Sequence, residues 1–230
     1  MLASLKSELH RKLANGLALV FDMDGVLIDS NPLHREAWTV FNRQYGIDTT
    51  EAMLQRMYGK RNDEIVRDFF GASLAPEEIT ARGARKEELY REMAGQRIDS
   101  LLVAGVKSFL DEYREAPMAL ASNAERANVR FVLDRAGLRE YFRVVVDGEQ
   151  VSQPKPHPEV YLRAADLLGV PPPNCLVFED SLAGVEAARA AGARVIGVLT
   201  THENLPGVDL AIDNFWSTDL EPWLQGQKPV

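Results

Sequence analysis

The chain has 230 residues, with 26 Lys and Arg against 34 Asp and Glu, a formal net charge of −8. With 46% hydrophobic and 26% charged residues it is neither disordered nor fibrous, and its length allows a domain of about 150 residues with a smaller one attached. The acidic balance argues against nucleic acid and anionic membranes as main partners, because phosphate surfaces select Lys and Arg. The single cysteine, Cys175, excludes an internal disulfide and a multi-cysteine zinc site. It sits beside Leu176-Val177-Phe178, where a buried thiol is expected. No apolar run approaches the roughly 18 residues of a membrane span. Residues 1–13 lack a signal-peptide core, so the expected compartment is the cytoplasm.

In chain order, Leu2, Leu5, Leu9 and Leu13 mark a short amphipathic helix ending near Asn15-Gly16. It is a packing or interface helix, and the expected state is a monomer or weak homodimer. Leu17-Ala18-Leu19-Val20-Phe21 is a continuous apolar run, as in a parallel strand buried on both faces. It ends in Asp22-Met23-Asp24-Gly25. Helical spacing then dominates residues 34–45, 51–57, 63–70 and 76–93, with breaks at Gly46, Gly59 and Gly71. From residue 99 strands and helices alternate. Strands are predicted at 118–121, 144–146, 176–178, 195–198 and, more weakly, 210–212. Helices are predicted at 106–113, 126–136, 158–168 and 181–191. The fold class is therefore α/β, a Rossmann-like parallel sheet flanked by helices. The core takes residues 1–30 and 99–230, and an inserted α-helical cap takes 31–98.

Several strands end in polar residues: Asp22 and Asp24, Ser122 and Asn123, Glu179 and Asp180. Ligands of an open parallel sheet bind at those strand ends. A single Asp after a strand is usually a cap or turn residue. Four converging acids, however, repel one another unless a cation sits among them. An all-oxygen set open to substrate suits Mg2+, with a substrate phosphate completing its shell. Lys155, held between Pro154 and Pro156, can reach this cluster and offset charge on a nucleophile and a phosphate. Ser122 can donate to a phosphate oxygen or cap a helix, and Gly25 would let backbone amides approach a phosphate. The implied chemistry is attack on phosphorus by one Asp, with a second acid two residues on protonating the leaving oxygen and then activating water.

Four ordered motifs resemble those of the haloacid dehalogenase superfamily. They are Phe21-Asp22-Met23-Asp24-Gly25-Val26-Leu27-Ile28-Asp29-Ser30, Leu120-Ala121-Ser122-Asn123, Lys155-Pro156-His157-Pro158, and Phe178-Glu179-Asp180-Ser181 with Gly184. The likeness spans residues 17–215. The helical insertion after the first motif resembles the branch that includes β-phosphoglucomutase and many sugar-phosphate phosphatases.

The resemblance implies that Asp22 is nucleophile and metal ligand. Asp24 is then general acid and base and gives its carbonyl to Mg2+. Ser122 binds the phosphoryl group with Asn123 beside it, Lys155 pairs with it and with Asp22, and Glu179 and Asp180 hold the metal. Asp24 argues against dehalogenation, which needs no acid there. In the cap, the loop Gly59-Lys60-Arg61-Asn62 falls where the family places a specificity loop, so Lys60 and Arg61 are substrate-binding candidates; a solvated basic turn is the alternative. His34, with Trp38 nearby, falls where the mutase has a hinge histidine. Lys86 aligns with a cap lysine that binds the mutase's distal phosphate, and Arg85 aligns as easily. Against the mutase, Asn62 stands in place of an Arg, and Ala124-Glu125 in place of Ser and Lys. The expected activity is an Mg2+-dependent phosphatase of small phosphorylated metabolites, sugar or polyol phosphates, acting through an aspartyl-phosphate. The alternatives are a phosphosugar mutase and a non-catalytic phosphometabolite-binding protein.

Overall fold

The computed structural model describes residues 16–58, 60–95 and 97–230; the leucine stripe of residues 1–13 and Gly59 of the cap loop lie outside them. Six strands form one sheet: β1 (Ala18–Phe21), β2 (Met118–Ala121), β3 (Val144–Val146), β4 (Cys175–Glu179), β5 (Arg194–Val198) and β6 (Leu210–Ile212). Their order is β3-β2-β1-β4-β5-β6, and every neighbouring pair is parallel.

Apart from Glu179 at the end of β4 and Arg194 at the start of β5, the strands are apolar, because each face of the sheet is covered. Leu19, Phe21, Leu120 and Phe178 enter one core cluster with Phe109, Val132 and Leu224. Their alternating neighbours Val20, Ala121 and Val177 enter another with Val160, Ala164 and Ala187. Those partners lie on helices α5 (Val106–Glu112), α6 (Arg126–Arg135) and α9 (Leu220–Gly226) on the first face, and α7 (Glu159–Leu168) and α8 (Leu182–Ala190) on the second. Phe21 and Phe178, paired in register, stack with centroids 4.7 Å apart. All six predicted strands are present within one residue at each end. Helix α9 adds to the predicted elements, and Leu220, Trp223 and Leu224 carry its spacing.

Between β1 and β2 the chain makes α1 (Asn31–Arg43), α2 (Glu51–Gln55), α3 (Asn62–Phe70) and α4 (Pro76–Ala94). Helix α2 is shorter than its predicted span; Met57 falls in the turn that follows. Pro32 and Pro76 start α1 and α4 at positions where a missing N–H costs nothing. The four helices bury Trp38, Phe41, Met57, Ile65 and Phe69 among themselves, a core separate from those of the sheet. A smaller cluster of Leu33, Ala37, Tyr90 and Ala94 packs against Leu101 and Phe131, joining the helical block to the sheet layer.

Candidate active site

β1 lies between β2 and β4, at the point where the chain order reverses. Its carboxyl end is thus flanked by theirs, the crevice where open parallel sheets bind ligands. Asp22 continues β1 by donating its N–H to the Phe178 carbonyl at 3.0 Å. Ser122 continues β2 in the same way towards Val146. Glu179 is the last residue of β4 and Asp180 the next.

Lys155, 5% exposed, arrives from the loop before α7, and its ammonium donates to Asp22 Oδ1 at 2.7 Å and Glu179 Oε1 at 2.6 Å. Burial opposes its charge, but the two carboxylates outweigh that and raise its pKa. Burial alone would also raise the Glu179 carboxyl; Lys155, the Tyr161 hydroxyl at 2.6 Å and the Ser181 amide hold it below its usual range. Glu179 Oε2 accepts from Asp180 N at 2.9 Å and from Ser181 N and Oγ at 3.1 Å. Both oxygens of Glu179 are thus engaged by the protein. Ser181 in turn caps α8 by accepting from Gly184 N.

Asp22 and Asp180 are the strained acids. Burial, reinforced by Glu179 and Asp24 against the pull of Lys155, pushes Asp22 up to about 7. Burial, with Glu179 and Asp22 close by, pushes Asp180 well above the carboxylate range. Oxygens of Asp22, Glu179 and Asp180 lie within 4.8 Å of one another. With Asp24 there are four carboxylates to one lysine. A hard divalent cation with oxygen preference fits both the donor set and the charge excess.

Asp24 sits on the turn after β1, where the Met23 carbonyl accepts from the amides of Leu27 and Ile28. Its Oδ1 accepts from Ser30 Oγ at 2.5 Å, and His34 Nε2 is 3.6 Å away. His34 stacks on Tyr90 (3.9 Å, 8°), and its Nδ1 is 2.9 Å from Lys86 Nζ. An ammonium only donates, so Nδ1 is the acceptor and the ring proton sits on Nε2, facing Asp24.

The sequence-predicted residues Asp22, Asp24, His34, Lys60, Arg61, Lys86, Ser122, Asn123, Lys155 and Asp180 line one cavity, with Trp38, Met57, Tyr58 and Ile65 as its apolar wall. Asn123 Oδ1 accepts from Lys155 N at 3.1 Å, and Ser122 Oγ accepts from Ala124 N at 3.0 Å. Glu179, wholly buried, does not line the cavity but lies behind Lys155.

Gly25 has a different reason from the one its motif suggested. Its φ is +78°, its amide donates to Ile28 O at 2.7 Å rather than facing the cavity, and a Cβ there would lie 1.8 Å from Asp180 Oδ2. Arg61 is held by the core, donating to the Gly148 and Val151 carbonyls. Lys60 is half-exposed, 4.0 Å from Asp68. Lys86 is buried against Glu87, whereas Arg85 is exposed and pairs with Glu88.

Sequence reasoning missed Asn31 and Thr201, which donate to Asp180 Oδ2, and Thr200, whose hydroxyl donates to the Gly25 carbonyl. The two threonines follow β5, so the strand-end rule covers them. Tyr161 carries no such signal.

A strand-end carboxylate cluster with a buried lysine, under a helical insertion, defines a phosphoryl-transfer hydrolase built on a Rossmann-like sheet. Residues 17–192 match the family described as haloacid dehalogenase-like hydrolase, and the chain belongs to that family. It is 35% identical over 181 residues to fructose-1-phosphate phosphatase YqaB of Escherichia coli, covering 78% of this chain and 95% of that one. A crystal structure of β-phosphoglucomutase from Clostridium difficile matches with a TM-score of 0.81 at 26% identity, covering 90% of this chain and 96% of that one. CbbY from Rhodobacter sphaeroides, solved with xylulose-(1,5)bisphosphate, matches with a TM-score of 0.76 at 27% identity, covering 87% and 95%. Among the described residues no helix is long and apolar enough to cross a membrane.

Proposed function

We propose that the protein is an Mg2+-dependent phosphatase of small phosphorylated metabolites, sugar or polyol phosphates, with Asp22 as nucleophile. The observation that carries this reading is the buried Lys155 bridging Asp22 and Glu179, with Asp24 two residues further on and held by Ser30. Residues 31–98 act as a cap that closes over the cavity and chooses the substrate.

An Asp22 oxygen attacks phosphorus, the bond to the ester oxygen breaks, and Asp24 gives its proton to the departing alkoxide. Asp24, now a carboxylate, takes a proton from a water that attacks the aspartyl-phosphate. The acyl–phosphate bond breaks, and inorganic phosphate leaves Asp22 free. His34, with its Nε2 proton towards Asp24, positions that carboxyl. Ser122 and Asn123 hold the phosphoryl group, and Lys155 offsets charge on it and on Asp22. Asp22, Asp180 and the Asp24 carbonyl would hold Mg2+, with Glu179 fixing Lys155 and the Asp180 amide. When bound, Mg2+ supplies a positive charge that withdraws electrons from the phosphoryl oxygens. Gly25 serves by leaving room for Asp180 rather than by binding phosphate.

A phosphosugar mutase has less support. Glu125, where the mutase carries a lysine, pairs with Arg91 at 2.7 Å, and Asn62, where it carries an arginine, is bonded to Glu87.

Phosphate release across phosphorylated sugars, polyols and glycolate, with Mg2+ and with chelator, tests the proposal. Metal-dependent release from one compound class is the expected result. Isomerised β-glucose 1-phosphate with little free phosphate would make the enzyme a mutase, and silence on every compound would sink the phosphatase reading.

A further inference from the structure

The cap end of the cavity holds a second buried ion pair. Lys86 and Glu87, 1% and 3% exposed, are neighbours on α4, with Lys86 Nζ 2.6 Å from Glu87 Oε1. A buried ammonium facing a cavity is ordinarily an anion receptor. Here Glu87 takes that charge, and it is firmly held: Oε1 also accepts from Asn62 Nδ2 at 2.7 Å, and Oε2 from Asn128 Nδ2 at 2.5 Å. Burial would raise its pKa, but the Lys86 ammonium, with hydrogen bonds from Lys86 and Asn128, holds it below its usual range, so Glu87 is ionised at neutral pH. Asn128 belongs to α6 beneath the cap and accepts from Arg91 at 2.6 Å. The carboxylate therefore stands where cap and core meet, next to whatever substrate lies between them.

Of the other basic groups of this wall, Arg61 is committed to two backbone carbonyls, and Lys60 lies half-exposed at the rim, 4.0 Å from Asp68. The rest of the wall, Trp38, Met57, Tyr58 and Ile65, suits a carbon skeleton.

We propose that Glu87 is a specificity-determining residue that selects substrates with a single phosphate and a neutral, hydroxyl-bearing far end, by neutralising Lys86 and repelling a second phosphate. This rests on the phosphatase reading for its biological meaning, but binding tests it separately. The variant Asp22→Asn, in Mg2+, serves as a non-turning-over host for fructose 1-phosphate and fructose 1,6-bisphosphate, compared by calorimetry. We expect the monophosphate to bind tighter by roughly tenfold or more. We also expect Asp22→Asn/Glu87→Gln, folded by circular dichroism, to narrow that ratio by about tenfold through improved bisphosphate binding. Equal or tighter binding of the bisphosphate to Asp22→Asn overturns the proposal, whether or not the double variant folds. An unchanged ratio in a folded double variant, or no binding of either compound, also overturns it. Lack of phosphate release by the parent enzyme would instead refute the phosphatase reading, and these binding ratios would still decide the role of Glu87.

Discussion

Among the described residues two lysine–glutamate pairs are buried, one at each end of the same cavity, and their surroundings differ in charge. Lys155 and Glu179 sit among Asp22, Asp24 and Asp180, four carboxylates to one ammonium, so the core end is short of positive charge. Lys86 and Glu87 sit among amides, a histidine and aromatic rings, so the cap end is balanced. An imbalance that burial would otherwise penalise calls for cations and for the charge development of phosphoryl transfer. A balanced pair organises groups around it without inviting another ion. The two pairs divide the work of reacting and of choosing.

The largest effect expected at the core end comes from removing the attacking oxygen. Asp22→Asn should lower phosphate release by roughly a thousandfold or more while leaving circular dichroism and melting close to the parent. Undiminished turnover in a pure sample would remove Asp22 from the nucleophile's role. Gly25→Ala should come next. Its methyl group would fall 1.8 Å from Asp180 Oδ2, at a φ that disfavours side chains, so Asp180 must move. A displacement of that size should cost roughly a hundredfold in kcat. Near-parental kcat would mean that the position of Asp180 matters little.

Metal binding separates the two ends directly. Mg2+ at a hundred times its dissociation constant stabilises a folded protein by about 2.7 kcal/mol, a rise of several degrees in Tm. That rise should appear on adding Mg2+ after chelation and vanish in Asp180→Asn. It should persist in Glu87→Gln, whose pair lies at the other end of the cavity. Equal loss in both variants would mean that the ends are not independent.

The sequence made the core end readable and left the cap end mostly hidden. Asp22, Ser122, Glu179 and Asp180 each follow an apolar run, and a parallel sheet gathers such residues whatever their distance along the chain. The same rule reaches Thr200 and Thr201 after β5. Tyr161 and Glu87 sit on helices whose spacing speaks only of packing, so nothing local marks the bonds they make to Glu179 and to Lys86. Gly25 was legible as a glycine position but not in its cause, because the neighbour that forbids a side chain, Asp180, lies far along the chain. The direction of Arg61 was likewise beyond reading, since its partners are backbone carbonyls that carry no residue identity.

That direction sets the smallest of the expected effects. Lys60 and Arg61 are adjacent on the cap loop, yet only Arg61 crosses to the core, through Gly148 and Val151. Arg61→Ala should loosen the seat of the loop and raise KM for every ester, the preferred substrate and a generic aryl phosphate alike. Lys60 keeps its ammonium at the rim, half-exposed and only loosely paired with Asp68, so it can meet a substrate without holding the loop. Lys60→Ala should raise KM for the preferred substrate alone, by roughly two- to fivefold, the range of an exposed charged contact. Measuring KM for both esters with both variants separates the roles. A Lys60→Ala effect equal on the two esters would take Lys60 out of substrate choice. An Arg61→Ala effect confined to the preferred ester would mean that Arg61 leaves the carbonyls to bind substrate.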